Sequence, residues 1–188
     1  MNLLLDLLVS VIGVGTVGQY VWSMGRHFHS PNKPQGSWVV STMVISTTVF
    51  FLALVWLLDQ PVQAQLVGLV VQLASIALFW WAISASKQAR LKYVFDAGNP
   101  ETLVMEGPYR FVRHPFYTSY LMFWTGWGIA TWSIWALVPL AGMYTMYTRA
   151  ALDEEKKFSR TAFAETYSEY RKRAGLFWPR LGFARSRA

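Results

Sequence analysis

The sequence predicts an all-α integral membrane protein of five transmembrane helices. The last two form a short helical hairpin, and a cytoplasmic C-terminal amphipathic helix follows. Three observations predict this. Only 14% of the residues are charged and 54% are hydrophobic, whereas soluble domains carry about 25% charged residues. The apolar residues fall in runs long enough to cross roughly 30 Å of hydrocarbon. All 17 Lys and Arg residues lie in, or border, the segments that this topology puts on one side.

The first span runs from about Leu3 to Met24. Gly13, Gly15 and Gly18 within it read as a packing face, since small residues let helices approach closely in lipid. The stretch before it has no basic n-region and no small-residue cleavage site follows, so the span is expected to remain in the mature protein. Arg26 to Gly36 is a polar loop whose His27 and His29 lack a nearby third ligand, so no metal site is expected. The second span is Trp38 to Leu58, followed by a turn at Asp59-Gln60-Pro61. The third is Gln65 to Ser86, with Gln72 and Ser75 expected to bond neighbouring helices. A polar region with a turn at Asp96–Pro100 leads to Gly107-Pro108.

Phe116 to Thr148 is apolar for too many residues to be one span. Arg110 and Arg113 precede it, and Arg149, Lys156 and Lys157 follow. Basic residues at both ends place both ends on one side, so a hairpin turning near Thr131-Trp132-Ser133 is expected. The tail from Asp153 reads as a helix with Phe158, Phe163, Tyr167 and Tyr170 near one face. Residues 1–86 are then three spans. Residues 87–188 are the cofactor-binding segment, hairpin and C-terminal helix of the same structural domain. The topology puts the N-terminus outside and the C-terminus in the cytoplasm, across the inner membrane if the source is bacterial.

The net charge of +7 is accounted for by this topology, so no nucleic-acid partner is expected. With no cysteine there are no disulfides and no thiolate metal sites.

The chemistry concentrates in Leu103–Tyr117, the long segment where Gly, Pro, Arg, His and Tyr mix densely between apolar spans. Such sequence against a membrane is costly unless it lines a site. The hairpin would bring Arg113-His114-Pro115, Tyr109 and Tyr117 near Glu154 and Glu155. A helix start at Pro115 also offers free N–H groups to an anion. This suits a charged, adenine-bearing cofactor facing the cytosol and a lipid-like substrate arriving from the bilayer. Taken singly, Arg110 and Arg113 read as headgroup anchors, and Tyr167 and Tyr170 as packing.

These residues resemble the isoprenylcysteine carboxyl methyltransferase family of integral membrane methyltransferases, which is related to phospholipid N-methyltransferases. The pattern Leu-Val-x-x-Gly-Pro-Tyr-Arg-x-x-Arg-His-Pro-x-Tyr is met from Leu103 to Tyr117. A hairpin, Glu154-Glu155, Tyr167, Tyr170 and Trp178-Pro179 follow in order. The resemblance covers about residues 85–180. It implies methyl transfer from S-adenosyl-L-methionine to a lipophilic acceptor, by carboxylate O-methylation or amine N-methylation, with membrane lipids as partners.

It also implies that Thr102, Leu103, Val104, Tyr109, His114, Pro115, Phe116, Tyr117 and Glu154 hold the cofactor. Glu101 takes the place where the eukaryotic members have His. Those members meet substrate through an Arg at the position of Ala150, and Arg149 is the nearest candidate for that catalytic role here. Two other readings compete. One is a membrane NADPH-dependent reductase of the sterol-reductase type, and the other is a non-catalytic membrane scaffold.

Overall fold

The computed structural model describes residues 2–26, 37–87, 103–158 and 160–180. Six α-helices are present among them: α1 (Leu3–Arg26), α2 (Ser37–Leu57), α3 (Val62–Ser86), α4 (Pro115–Thr131), α5 (Leu137–Phe158) and α6 (Ala164–Arg173). No strand forms there beyond one isolated bridge. The loop carrying His27 and His29, the turn at 96–100, and both Glu101 and Thr102 lie outside the described residues.

Helices α1, α2 and α3 are each long and apolar enough to cross a membrane. At 1.5 Å per residue, the 25 residues of α3 span roughly 37 Å. Large apolar side chains such as Leu4, Val11, Leu57, Val70 and Trp80 stay exposed on their outward faces. That is costly in water and costs nothing in lipid.

α3 and α4 make the most extensive helix pair of the bundle. They cross at Gly68 and Gly126. A Cβ at Gly68 would lie 2.5 Å from the Gly126 carbonyl oxygen, and one at Gly126 would lie 2.8 Å from the Gly68 oxygen. Backbone meets backbone here, so no side-chain rotation relieves a substitution. Gly68→Val is therefore expected to separate the two helices and lower the thermal midpoint in detergent by several degrees. Gly15→Val, where a Cβ meets open space, is the matched control and should leave it unchanged. The same contrast corrects the expected packing face of α1. Gly13 alone packs closely, against the Trp127 ring, while Gly15 and Gly18 face nothing.

The core beside this crossing is aromatic. Trp124 and Trp127 stack with centroids 6.0 Å apart, and Phe51 of α2 meets both edge-on. Further along, Tyr20 of α1 packs on Phe79 of α3 and Tyr120 of α4.

The hairpin turns where the sequence expected. Trp132 caps α4 in the left-handed region at φ 47°, and its N–H bonds the Ile129 carbonyl. A 3-10 turn, Ile134–Ala136, then starts α5. α5 itself runs for 22 residues, beyond the apolar segment that was expected to end at Thr148. Its apolar part ends near Thr148, and its last ten residues carry Arg149, Glu154 and Glu155 to the start of α4.

The tail differs from the single helix expected from Asp153. α5 ends at Phe158 because the Thr161 hydroxyl takes that residue's carbonyl at 2.9 Å and also accepts the Phe163 N–H. Local side-chain bonds of this kind compete with helix continuation. The chain restarts as α6, and Tyr167 stacks on Phe158 across the break at 4.7 Å.

Gln72 departs from expectation, since neither side-chain amide atom has a hydrogen-bond partner among the described residues. The Ser75 hydroxyl bonds its own helix at the Gln72 carbonyl and also lies beside the Tyr20 phenol of α1. Polar ties from α1 to α2 and α3 include Gln65 to Asp6, Trp56 to Ser10 and Trp80 to Gln19.

Candidate functional site

Gly107–Arg110 forms a short 3-10 turn under the end of α3. Gly107 adopts φ +57°, and a Cβ there would meet Ala85 at 2.8 Å. Only glycine takes both the dihedral and the space without strain. The chain then runs extended through Val112 to Pro115, which opens α4 where its missing N–H is no loss.

A second extended piece pairs with this one. The Arg113 N–H bonds Gly175 O at 2.8 Å, the His114 N–H bonds Leu176 O at 3.3 Å, and the Gly175 N–H bonds Phe111 O at 3.0 Å. The segment after α6 is thus strapped across the start of α4. The Thr118 hydroxyl is placed between the His114 and Phe177 carbonyls, and the Tyr170 hydroxyl donates to the Tyr109 carbonyl at 2.6 Å.

The two glutamates of α5 enter this assembly with different roles. Glu155 is 4% exposed, and Arg113 Nε donates to its Oε1 at 2.7 Å. The same guanidinium also donates to the Ala174 carbonyl. Arg113 therefore joins the start of α4, the end of α5 and the strap. This corrects the reading of Arg113 as a headgroup anchor. Glu154, 25% exposed, accepts the Tyr117 hydroxyl at 2.6 Å. His114 lies between the two carboxylates, with Nδ1 3.4 Å from Glu154 and Nε2 3.4 Å from Glu155.

Burial alone would push the His114 proton off. The hydrogen bonds to Glu154 and Glu155, with their charges, outweigh it and raise the imidazole above its usual 6.5. Burial works the other way on Glu155. It would raise the carboxyl, but the bonds and charges of His114 and Arg113 hold it down to about 2. The consequences for stability have opposite signs. The His114 contribution is full below pH 6.5 and is lost as pH rises through the raised value. The Glu155 contribution is full above pH 4.5 and is lost as pH falls toward about 2. The thermal midpoint in detergent should therefore be highest between about pH 4.5 and 6.5. His114→Gln should flatten the alkaline limb and also shrink the acid limb, because His114 then no longer helps Arg113 to hold the Glu155 carboxyl down.

The structure brings Tyr117, His114 and Glu154 together and spreads the other expected residues around them. Pro115 opens α4, and Phe116 packs edge-on against Phe79 at 5.6 Å. Tyr109 is buried under α3, where burial raises its phenol well above its usual value. Val104 packs on the main core, and Leu103 on a separate cluster of Tyr167, Tyr170 and Ala174.

Arg149 lines a cavity of about 670 Å³ between α2 and α5. Val39, Met43, Gly142 and Met146 form its apolar part, and Arg149, Asp153, Glu154 and Lys157 its polar end. That volume is within the usual range for ligand sites. Glu154 is the residue shared by the cavity and the Tyr117–His114 cluster.

Sequence reasoning missed one residue. Tyr147 on α5 packs on both Tyr117 and Tyr120, at 5.6 and 5.4 Å. It sits seven residues before Glu154, two turns along the helix, and that spacing was the available signal. The expected approach of Arg113 to the glutamate pair is met at Glu155, as a buried ion pair.

The sequence has counterparts among known proteins. The family model for phospholipid methyltransferase matches residues 62–166, from the start of α3 into α6. The chain belongs to the phospholipid methyltransferase family. It is also 32% identical over 154 residues to the cobalt-zinc-cadmium resistance protein CzcN of Cupriavidus metallidurans. That match takes in 80% of this chain and 65% of the relative, so the chain spans less than two thirds of the protein it matches. In this phospholipid methyltransferase family member, no group of three or more His, Asp or Glu among the described residues is placed to hold a metal ion. The family match covers α3, the site segment, the hairpin and both glutamates, the parts that build the cluster.

Proposed function

We propose that this protein transfers the methyl group of S-adenosylmethionine to a lipophilic, anionic acceptor at the cytoplasmic membrane face. The observation that carries the reading is Glu154. It is a partly exposed carboxylate, fixed by Tyr117 and His114, at the polar end of a lipid-sized cavity.

The residues present fit the cofactor. S-adenosylmethionine, when bound, supplies an electrophilic methyl on a sulfonium and brings an ammonium and a carboxylate. Glu154 has accessible surface left to meet a cationic group, and the Tyr117 and His114 bonds hold it in one orientation. Leu103, Val104, Tyr109, Pro115 and Phe116, with Glu101 and Thr102, are assigned to the walls of the cofactor site. A carboxylate drawn tight to the sulfonium would stabilise the ground state, so Glu154 is assigned to binding. Acceleration is assigned to positioning and to exclusion of water.

Two features favour an anionic acceptor, a carboxylate above an amine. An amine would need a general base. His114 faces a carboxylate on each ring nitrogen, and Glu155 is committed to Arg113, so neither is free to take a proton. Arg149 and Lys157 point the same way, since neither has an ion-pair partner among the described residues and both line the cavity. Arg149 is accordingly assigned to the acceptor's charged group. The acyl or prenyl chain would lie along Val39, Met43 and Met146.

The topology proposed with this function has five spans, α1 to α5, with the N-terminus outside. Tyr117 and Glu154, at opposite ends of the hairpin, are 2.6 Å apart, so both ends share one side. The basic residues there make that side the cytoplasm.

S-adenosylhomocysteine is expected to raise the thermal midpoint of the purified protein, and NADPH is not. The reverse pattern would remove this reading in favour of a reductase.

A further inference from the structure

α3 runs away from the site, and its first turns lie at the opposite end of the bundle, where Gly68 meets the end of α4. There Asp6 of α1 and Gln65 of α3 are 0% and 1% exposed. Gln65 Nε2 donates to Asp6 Oδ1 at 2.5 Å. Their other oxygens, Asp6 Oδ2 and Gln65 Oε1, are buried with no hydrogen-bond partner among the described residues. Both are acceptors, on side chains already in contact. Buried polar atoms in native proteins are almost always paired, and in a membrane bundle an unpaired carboxylate oxygen is especially costly.

What is missing is a small donor with two hydrogens. A metal ion is a poor fit, because the pair offers only two free oxygens and hard cations take six or more. We propose that Asp6 and Gln65 form a binding site for one internal water molecule. It donates one hydrogen to Asp6 Oδ2 and the other to Gln65 Oε1. The water closes a ring with the direct Gln65–Asp6 bond and locks α1 to α3 far from the methyl-transfer site. Water suits the requirement, since buried waters make two to four bonds to groups otherwise unsatisfied. Gln72, about 10.5 Å further along the same face of α3, also has both amide atoms buried without partners. The polar face of α3 therefore continues past this site.

The test is water-edited solid-state NMR of the full chain in lipid bilayers, with glutamine side chains labelled and Gln65 assigned from Gln65→Leu. The Gln65 amide should receive magnetisation from water early, while Leu69 and Phe79 on the same buried face should not. Asp6→Asn keeps the size of the side chain and puts an N–H where the water needs an acceptor. In that variant the early Gln65 signal should fall to the level of Leu69, with the rest of the spectrum unchanged. A Gln65 amide as dry as Leu69 in the wild type would overturn the proposal. So would an early signal that survives Asp6→Asn. An infrared protonated-carboxyl band that Asp6→Asn removes would also overturn it, by putting a proton where the water is proposed.

Discussion

Glu155→Ala is expected to destabilise the protein by about 3–5 kcal/mol, the usual result of removing one partner from a buried ion pair. The side chains of Arg113 and Glu155 are only 6% and 4% exposed. Alanine at 155 would leave the guanidinium buried with no carboxylate beside it, facing the backbone carbonyls of Ala174 and Arg171. Because Arg113 joins α4, α5 and the strap, the loss should spread to the pairing of residues 111–114 with 174–177. Unfolding of Arg113→Ala, Glu155→Ala and the double variant in detergent measures this. The double variant should lose much less than the sum of the singles, since each single strands the other's charge. Lys172 and Glu169 give the contrast. They form an exposed pair on α6, and breaking it should change stability by less than about 1 kcal/mol.

Glu154→Ala, one residue away, should cost clearly less stability than Glu155→Ala, because the lost partner is the Tyr117 hydroxyl and not a buried guanidinium, and should abolish most cofactor binding. Removing a partly buried, hydrogen-bonded charge from a ligand contact costs about 2–3 kcal/mol, or roughly 30- to 150-fold in Kd. Isothermal titration with S-adenosylhomocysteine reads this directly. His114→Ala should weaken binding too, because Glu154 then keeps only Tyr117 as a support. Tyr117→Phe should have a smaller effect of the same sign. Wild-type affinity in both Glu154→Ala and His114→Ala would remove the site assignment. The two neighbouring glutamates thus separate folding from binding. Exchange of the two phenotypes would place the cofactor contact on Glu155.

The helices were legible because hydrophobic run length and the placement of Lys and Arg answer to the membrane alone. α1, α2 and α3 begin and end within three residues of the expected spans, and the hairpin turns at Trp132. Other features were not legible, because they depend on which side chains meet. Arg113 read as an anchor because nothing local marks a guanidinium for burial. Its partner lies 42 residues away. The break between α5 and α6 turns on one hydroxyl, Thr161, choosing a backbone carbonyl. The site segment was legible as a motif. Its internal division was not: Tyr109 and Phe116 are buried among the helices, while Tyr117 and His114 gather on Glu154, the member of that cluster that lines the cavity. The orphaned oxygens of Asp6 and Gln65 could be found only once α1 and α3 were seen side by side.

The most direct test is ultraviolet cross-linking of methyl-labelled S-adenosylmethionine to the purified protein, followed by peptide mapping. The account predicts label in the peptides that carry Leu103–Tyr117 or Tyr147–Glu155, suppressed by excess S-adenosylhomocysteine and absent from Glu154→Ala. Competable label confined to α1 and α2, or none on a folded protein, would contradict it.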